Sequence, residues 1–143
     1  MQEANPWEDF MFGCRFTEEK YALFSPEELA QMSVLSEEEA GALWDARCNN
    51  MVLERCTFDN RTVFIADCGW GDAKAEAETK RIYEEFLQDG SDVLVLYYYG
   101  IGLRSSKKVF CDRWSDFCYP SDVLLMICGD KNILYYEDEV FLI

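Results

Sequence analysis

The run Val93 to Tyr99, Val-Leu-Val-Leu-Tyr-Tyr-Tyr, is continuous in β-branched, Leu and Tyr residues and shows no polar alternation. A strand made from it presents apolar groups on both faces, because successive side chains of a strand point to opposite sides. Such a strand belongs in the middle of a sheet, with neighbours on both edges and covering layers above and below. The run is far too short to cross a bilayer, so its apolar character is a statement about burial inside a protein.

The remaining pattern supplies candidate layers. Ser25-Pro26-Glu27-Glu28 has a capping serine, proline at the first helical position and glutamate three residues after the cap, which predicts a short helix to about Met32. Ser36-Glu37-Glu38-Glu39 repeats the device and opens a second helix with Ala40, Leu43 and Trp44 facing inward, ending near Asn49-Asn50. Thr62 to Ala66 reads as a strand. Gly69-Trp70-Gly71 then breaks the chain, and Asp72 caps a long amphipathic helix to about Gln88, with Gly90 as its stop. Within it Ala75, Thr79, Ile82, Tyr83 and Phe86 follow helical spacing among charged residues.

After Gly90 the period changes. Gly100-Ile101-Gly102 reads as a turn and Lys107 to Phe110 as extended chain, followed by Phe110, Arg113, Trp114 and Phe117 at helical spacing. Asp122 to Cys128, Ile133 to Tyr136 and Val140 to Ile143 are three strands whose short connections imply antiparallel hairpins. The expected fold is α+β: N-terminal helices and one long amphipathic helix packed on a mostly antiparallel sheet of four to six strands. Residues 1–143 are expected to form a single domain, because a chain this size can bury about two-thirds of its extended surface on folding, enough for a sizeable core.

Charge narrows the partners. The chain has 28 Asp and Glu against 13 Lys and Arg, a formal charge of −15. The first fifty residues alone hold eleven acids and three bases. This balance disfavours direct nucleic-acid binding and anionic membranes, both of which need a basic footprint, and attracts basic protein partners. Histidine is absent, which removes Ser-His-Asp and Cys-His catalysis and histidine metal ligation.

Nothing else in the sequence builds a reaction centre. The seven cysteines show no C-x2-C spacing and lie largely in apolar runs, so they read as reduced buried thiols without a metal. Cys118 lacks a nearby group to activate it, other than Arg113. Gly69-x-Gly71 and Gly100-x-Gly102 are too short to cradle a phosphate. Met1 to Asn5 is polar, unlike the start of a secretion signal, and a cytoplasmic location is expected. No catalytic residue, metal or cofactor is expected.

The stretch Lys107 to Ile143, centred on Arg113-Trp114-Ser115-Asp116-Phe117-Cys118-Tyr119-Pro120-Ser121-Asp122, resembles the C-terminal part of small acidic bacterial proteins found among polymorphic-toxin immunity proteins. Phe24 to Leu29 and Leu43-Trp44 are similar to the helical front of that group, so the resemblance covers about half the chain. It implies a cytosolic inhibitor that binds the catalytic domain of a toxin made beside it and blocks substrate entry. It does not imply that the aromatic motif touches the toxin, since Trp114, Phe117, Tyr119 and Pro120 read as core and turn residues.

A nuclease is the toxin class that best suits such charge, because carboxylates can stand in for the phosphates of its substrate. The expected partner-binding residues are Asp112, Asp116, Glu137, Asp138 and Glu139, with Glu37, Glu38 and Glu39 as a second acidic patch and Trp70 as an aromatic anchor. The expected state is a monomer or weak dimer. Two alternatives remain from the residues alone: an enzyme using paired carboxylates and a divalent cation, or a self-associating structural or regulatory module.

Overall fold

In the computed structural model the described residues are 7, 10, 13–17, 24–47, 63–67, 72–87, 92–98, 100–118, 123–129, 131–136 and 139–142. The apolar run becomes β3 (Val93–Tyr98) and lies third in a seven-stranded sheet. The other strands are β1 (Met32–Val34), β2 (Val63–Asp67), β4 (Ile101–Ser105), β5 (Val123–Cys128), β6 (Lys131–Tyr136) and β7 (Glu139–Leu142). Their order is β1-β4-β3-β5-β6-β7-β2, and every neighbouring pair is antiparallel.

The α+β fold expected from the sequence is therefore present, with a wider sheet than the four to six strands expected. Two of its strands fall where other structure was read. β1 occupies the place where the first capped helix was to end, so that helix, α2 (Pro26–Leu29), is shorter. β4 includes Ile101 and Gly102, which were read as a turn. Gly100 makes the turn, with φ of +75°, a conformation that suits a residue without Cβ. Gly102 is a ladder residue opposite Leu96. A Cβ there would lie 2.7 Å from Leu96 Cδ2 and 2.9 Å from the Val95 carbonyl oxygen, so this glycine allows close strand packing.

A second correction concerns Lys107 to Phe110. These residues form helix α5 (Lys107–Asp112) rather than extended chain. Ser106 has an extended backbone and its Oγ accepts the Val109 N–H at 3.2 Å, which starts the helix. Val109, Phe110 and Cys111 are then consecutive and all buried, while Lys108 and Asp112 are exposed, so a helix this short shows no clear helical period. α6 (Trp114–Phe117) follows after Arg113.

Alternation along the strands divides the core in two. Val93, Val95 and Tyr97 of β3 join Leu124, Met126, Cys128, Ile133, Tyr135 and Leu103 on one face. Helix α4 (Ala73–Phe86) contributes Tyr83 to this face, α5 and α6 contribute Phe110, Trp114 and Phe117, and Phe16 of α1 (Cys14–Thr17) joins them with Phe10 and Phe24. Leu96, Leu125, Ile127 and Leu134 point to the other face, where Leu35 and helix α3 (Glu37–Arg47) cover them through Ala40, Leu43 and Trp44. The long helix thus covers one face, together with the front aromatics. The Asp72 cap holds as expected, its side chain accepting from the Lys74 and Ala75 N–H groups. Asn49, Asn50, Gly69 to Gly71 and Gly90 lie outside the described residues.

The packing at Gly102 generates a stability prediction. Gly102→Ala pushes Leu96 and the β3 backbone apart and costs about 1–3 kcal/mol, as overpacking of a filled core does. Urea unfolding measures this; a loss under about 0.5 kcal/mol would contradict the close packing described.

Candidate partner-docking surface

Helix α3 is built as a rigid acidic ledge. Its first turn repeats a capping box: the Glu39 N–H donates to Ser36 Oγ at 3.1 Å, and the Ser36 N–H donates to Glu39 Oε1 at 3.4 Å. Glu37, Glu38 and Glu39 all lie in that turn, where the positive end of the helix dipole stabilises them. All three are exposed, and among the described residues no cation lies within ion-pair distance of them.

Both ends of the helix are fixed to the sheet. Before the first turn, the Leu35 N–H donates to the Gly102 carbonyl at 3.0 Å. Glu37 lies against the Gly100 turn, so close that a Cβ on Gly100 would stand 3.0 Å from Glu37 Cγ. In the last turn Arg47 reaches the β5–β6 connection, donating to Asn132 Oδ1 at 3.0 Å and to the Gly129 carbonyl at 2.9 Å. A surface held this way loses little conformational freedom when something docks on it.

The two longer helices differ in charge balance. α3 carries four acids and one base, whereas α4 carries four acids and three bases. On α4 the Arg81 guanidinium pairs with Glu78 and with Glu85, and Lys80 pairs with Glu84. Lys80 also reaches Asp112 Oδ1 at 3.0 Å, while Lys108 holds Asp112 Oδ2 at 2.9 Å. Hydrogen bonds from Lys108 and then Lys80 hold the Asp112 carboxyl below its ordinary range, against some desolvation. The Lys80 ammonium is shifted up by the same contact.

Asp116 is likewise engaged internally. Arg113 Nε donates to Asp116 Oδ2, and Nη1 to Glu28 Oε1, both at 2.8 Å. The guanidinium carbon stands 3.9 Å over the Phe24 ring. Desolvation raises the Glu28 pKa, but the Ser25 backbone N–H and the Arg113 guanidinium outweigh it, and the net shift is downward. Arg113 itself shifts upward, since Asp116 and Glu28 outweigh its own desolvation.

The expected contacts therefore divide. Glu37, Glu38 and Glu39 come together on one exposed turn, while Asp112 and Asp116 spend their charge inside the molecule. Glu139 belongs to β7, where its backbone pairs with Tyr136 and Asp67. Trp70, Glu137 and Asp138 lie outside the described residues. Sequence reading missed the Lys80–Asp112 and Glu28–Arg113 pairs, whose members are remote along the chain. Only the surplus of bases in residues 74–81 and 104–113 hinted at internal neutralisation.

The described thiols Cys111, Cys118 and Cys128 are buried, which disfavours reaction. Burial, with some help from Glu84, pushes the Cys111 thiol up to about 12. Cys118 Sγ donates to the Trp114 carbonyl at 3.4 Å. Among the described residues no group of three or more Cys, Asp or Glu is arranged to hold a metal ion, and no helix is long and apolar enough to cross a membrane. No family model, curated protein or solved structure matches the chain.

The lowered carboxyls set an acid response. Glu28 and Asp112 release their protons more readily in the folded chain than in the unfolded one, so their stabilisation is complete above the ordinary carboxylate range and is lost as pH falls through their folded values. Glu28→Gln is expected to cost about 1 kcal/mol at pH 7 and to shrink the further loss of stability on acidification to pH 3. Urea titrations at the two pH values check this; equal acid sensitivity of variant and parent would remove Glu28 from the account.

Proposed function

We propose that this chain is a binding protein that recognises a cationic protein surface, and that it acts in the cytoplasm as the immunity partner of a bacterial toxin, blocking a nuclease domain at or beside its active site. The observation that carries this reading is the uncompensated first turn of α3, where Glu37, Glu38 and Glu39 stand exposed on a helix fixed at both ends. The overall charge of −15 favours encounter with a basic target from any approach. The fixed helix favours retention once docked.

Carboxylates in this setting can occupy the phosphate positions of a nuclease cleft. Their charge raises the association rate, while apolar and hydrogen-bonded neighbours set the dissociation rate. The internal pairing of Asp112 and Asp116 shifts the weight of the earlier expectation toward α3. The resemblance of Lys107 to Ile143 to immunity proteins is independent of this argument, because that stretch supplies core residues such as Trp114, Phe117 and Tyr135.

The test uses the product of the neighbouring gene. A toxin domain encoded beside this chain is expected to bind it and to lose activity in the complex. Glu37→Gln with Glu38→Gln, leaving the capping residue Glu39 in place, is expected to slow association about 3- to 10-fold at low salt and to flatten its salt dependence. Stopped-flow kinetics reads both effects. Unchanged association would move the docking surface away from α3, and the absence of binding at micromolar concentration would remove the immunity reading itself.

A further inference from the structure

Building on the reading of this chain as a binder of a cationic protein, we propose that the outer edge of β1 takes an extended, basic segment of that partner as a further strand, beside the acids of α3. Hydrogen bonds at the two ends of β1 fix which of its groups face outward. The Ser106 N–H donates to the Gln31 carbonyl at 2.9 Å, and the Leu35 N–H donates to the Gly102 carbonyl at 3.0 Å. Between them Met32, Ser33 and Val34 stand opposite Ser105, Arg104 and Leu103. In an antiparallel ladder every second residue shares its bonds with the neighbour, here Gln31, Ser33 and Leu35. The N–H and C=O groups of Met32 and Val34 therefore point away from β4.

β1 is the first strand in the sheet order, and among the described residues nothing pairs with its outer side. Ser33 is exposed and Val34 half-buried, so solvent reaches this edge. The opposite edge of the sheet is different. There the ladder of β2 with β7 shifts register between Phe64 and Ala66. Such a bulge twists an edge away from other chains, whereas the β1 ladder runs without a shift.

A three-residue edge offers too few backbone groups to hold a strand unaided, and its shortness guards against indiscriminate pairing. The surrounding charge selects the occupant. The chain leaves β1 through Leu35 and Ser36 directly into Glu37, Glu38 and Glu39, and it approaches β1 from α2, whose Glu27 is exposed. Arg104, the base opposite Ser33 on the adjoining strand, stands 4.0 Å from Asp92.

A second copy of this chain fits the edge poorly. Acids stand beyond both ends of β1, so pairing two such edges in either direction sets acid against acid, in molecules that each carry −15. An extended segment with Lys or Arg flanking a few β-branched residues fits both features. Its backbone completes the bonds of Met32 and Val34, a central side chain covers Val34, and its bases meet the first turn of α3.

NMR hydrogen exchange on the full, isotope-labelled chain tests this with a defined probe, the peptide Lys-Lys-Val-Thr-Val-Lys-Lys, and its counterpart with Glu in place of every Lys. In the free chain the Met32 and Val34 amides are expected to exchange at least about tenfold faster than those of Ser33 and Leu35. Saturation with the basic peptide is expected to slow Met32 and Val34 at least about threefold, and the acidic peptide to leave them unchanged. Val34→Pro removes an outward donor and no bond to β4, and is expected to weaken peptide binding about 3- to 10-fold. Should that variant fail to fold, the exchange of the parent decides alone. Equal protection of all four amides in the free chain, protection that grows with chain concentration alone, or no slowing of Met32 and Val34 at millimolar basic peptide would each overturn the edge site. A toxin domain that binds Val34→Pro as tightly as the parent would also overturn it while leaving the immunity reading in place. Failure of the proposed toxin to bind, with the basic peptide still slowing both amides, would remove the immunity reading and leave the edge site.

Discussion

The structure depends on the double burial of β3. A strand with apolar groups on both faces cannot be satisfied by a single covering layer, so the chain must supply one on each side. It does so unequally. Most helices and the front aromatics gather on the face of Val95 and Tyr97, and α3 covers the Leu96 face among the described residues. α3 is therefore pinned against the sheet by the need to cover Leu96, Leu125 and Leu134, and its outer surface inherits that rigidity.

Charge is arranged along the same division. On the crowded face the bases of α4 and α5 meet acids from other turns and other helices, and Arg113 joins Asp116 to Glu28 across the α2 boundary. These pairs organise the helix layer. Exposed ones among them contribute little stability. On the α3 face the acids of the first turn meet no described base, so they remain available to an outside cation. The proposed role thus follows from which acids the fold uses and which it leaves over.

Local chemistry was legible in the sequence wherever one turn carries its own signal. The capping residues Ser25, Ser36 and Asp72 mark helix starts because each bonds to backbone two or three residues away. The burial of Val93, Val95, Leu96 and Tyr97 was likewise written in an unbroken apolar run. Signals failed where a residue serves a distant neighbour. Gly102 resembles a turn former, yet its missing Cβ makes room for Leu96 of the adjacent strand. Helix α5 has six residues and β1 three, and both are too short to show a period. Asp112 and Asp116 have pairing partners close in sequence, Lys108 and Arg113, whereas Lys80 and Glu28 join these pairs only through the tertiary fold.

The central claim is that the outer surface of α3 meets a basic partner. Carboxylate footprinting, in which carbodiimide couples glycine ethyl ester to accessible acids, reads this directly on a complex with the proposed toxin partner. The account predicts that complex formation protects Glu37 and Glu38 and leaves Glu76, Glu84 and Glu85 of α4 labelled as in the free chain. Protection confined to α4, or no protection at Glu37 and Glu38 in a saturated complex, would contradict it.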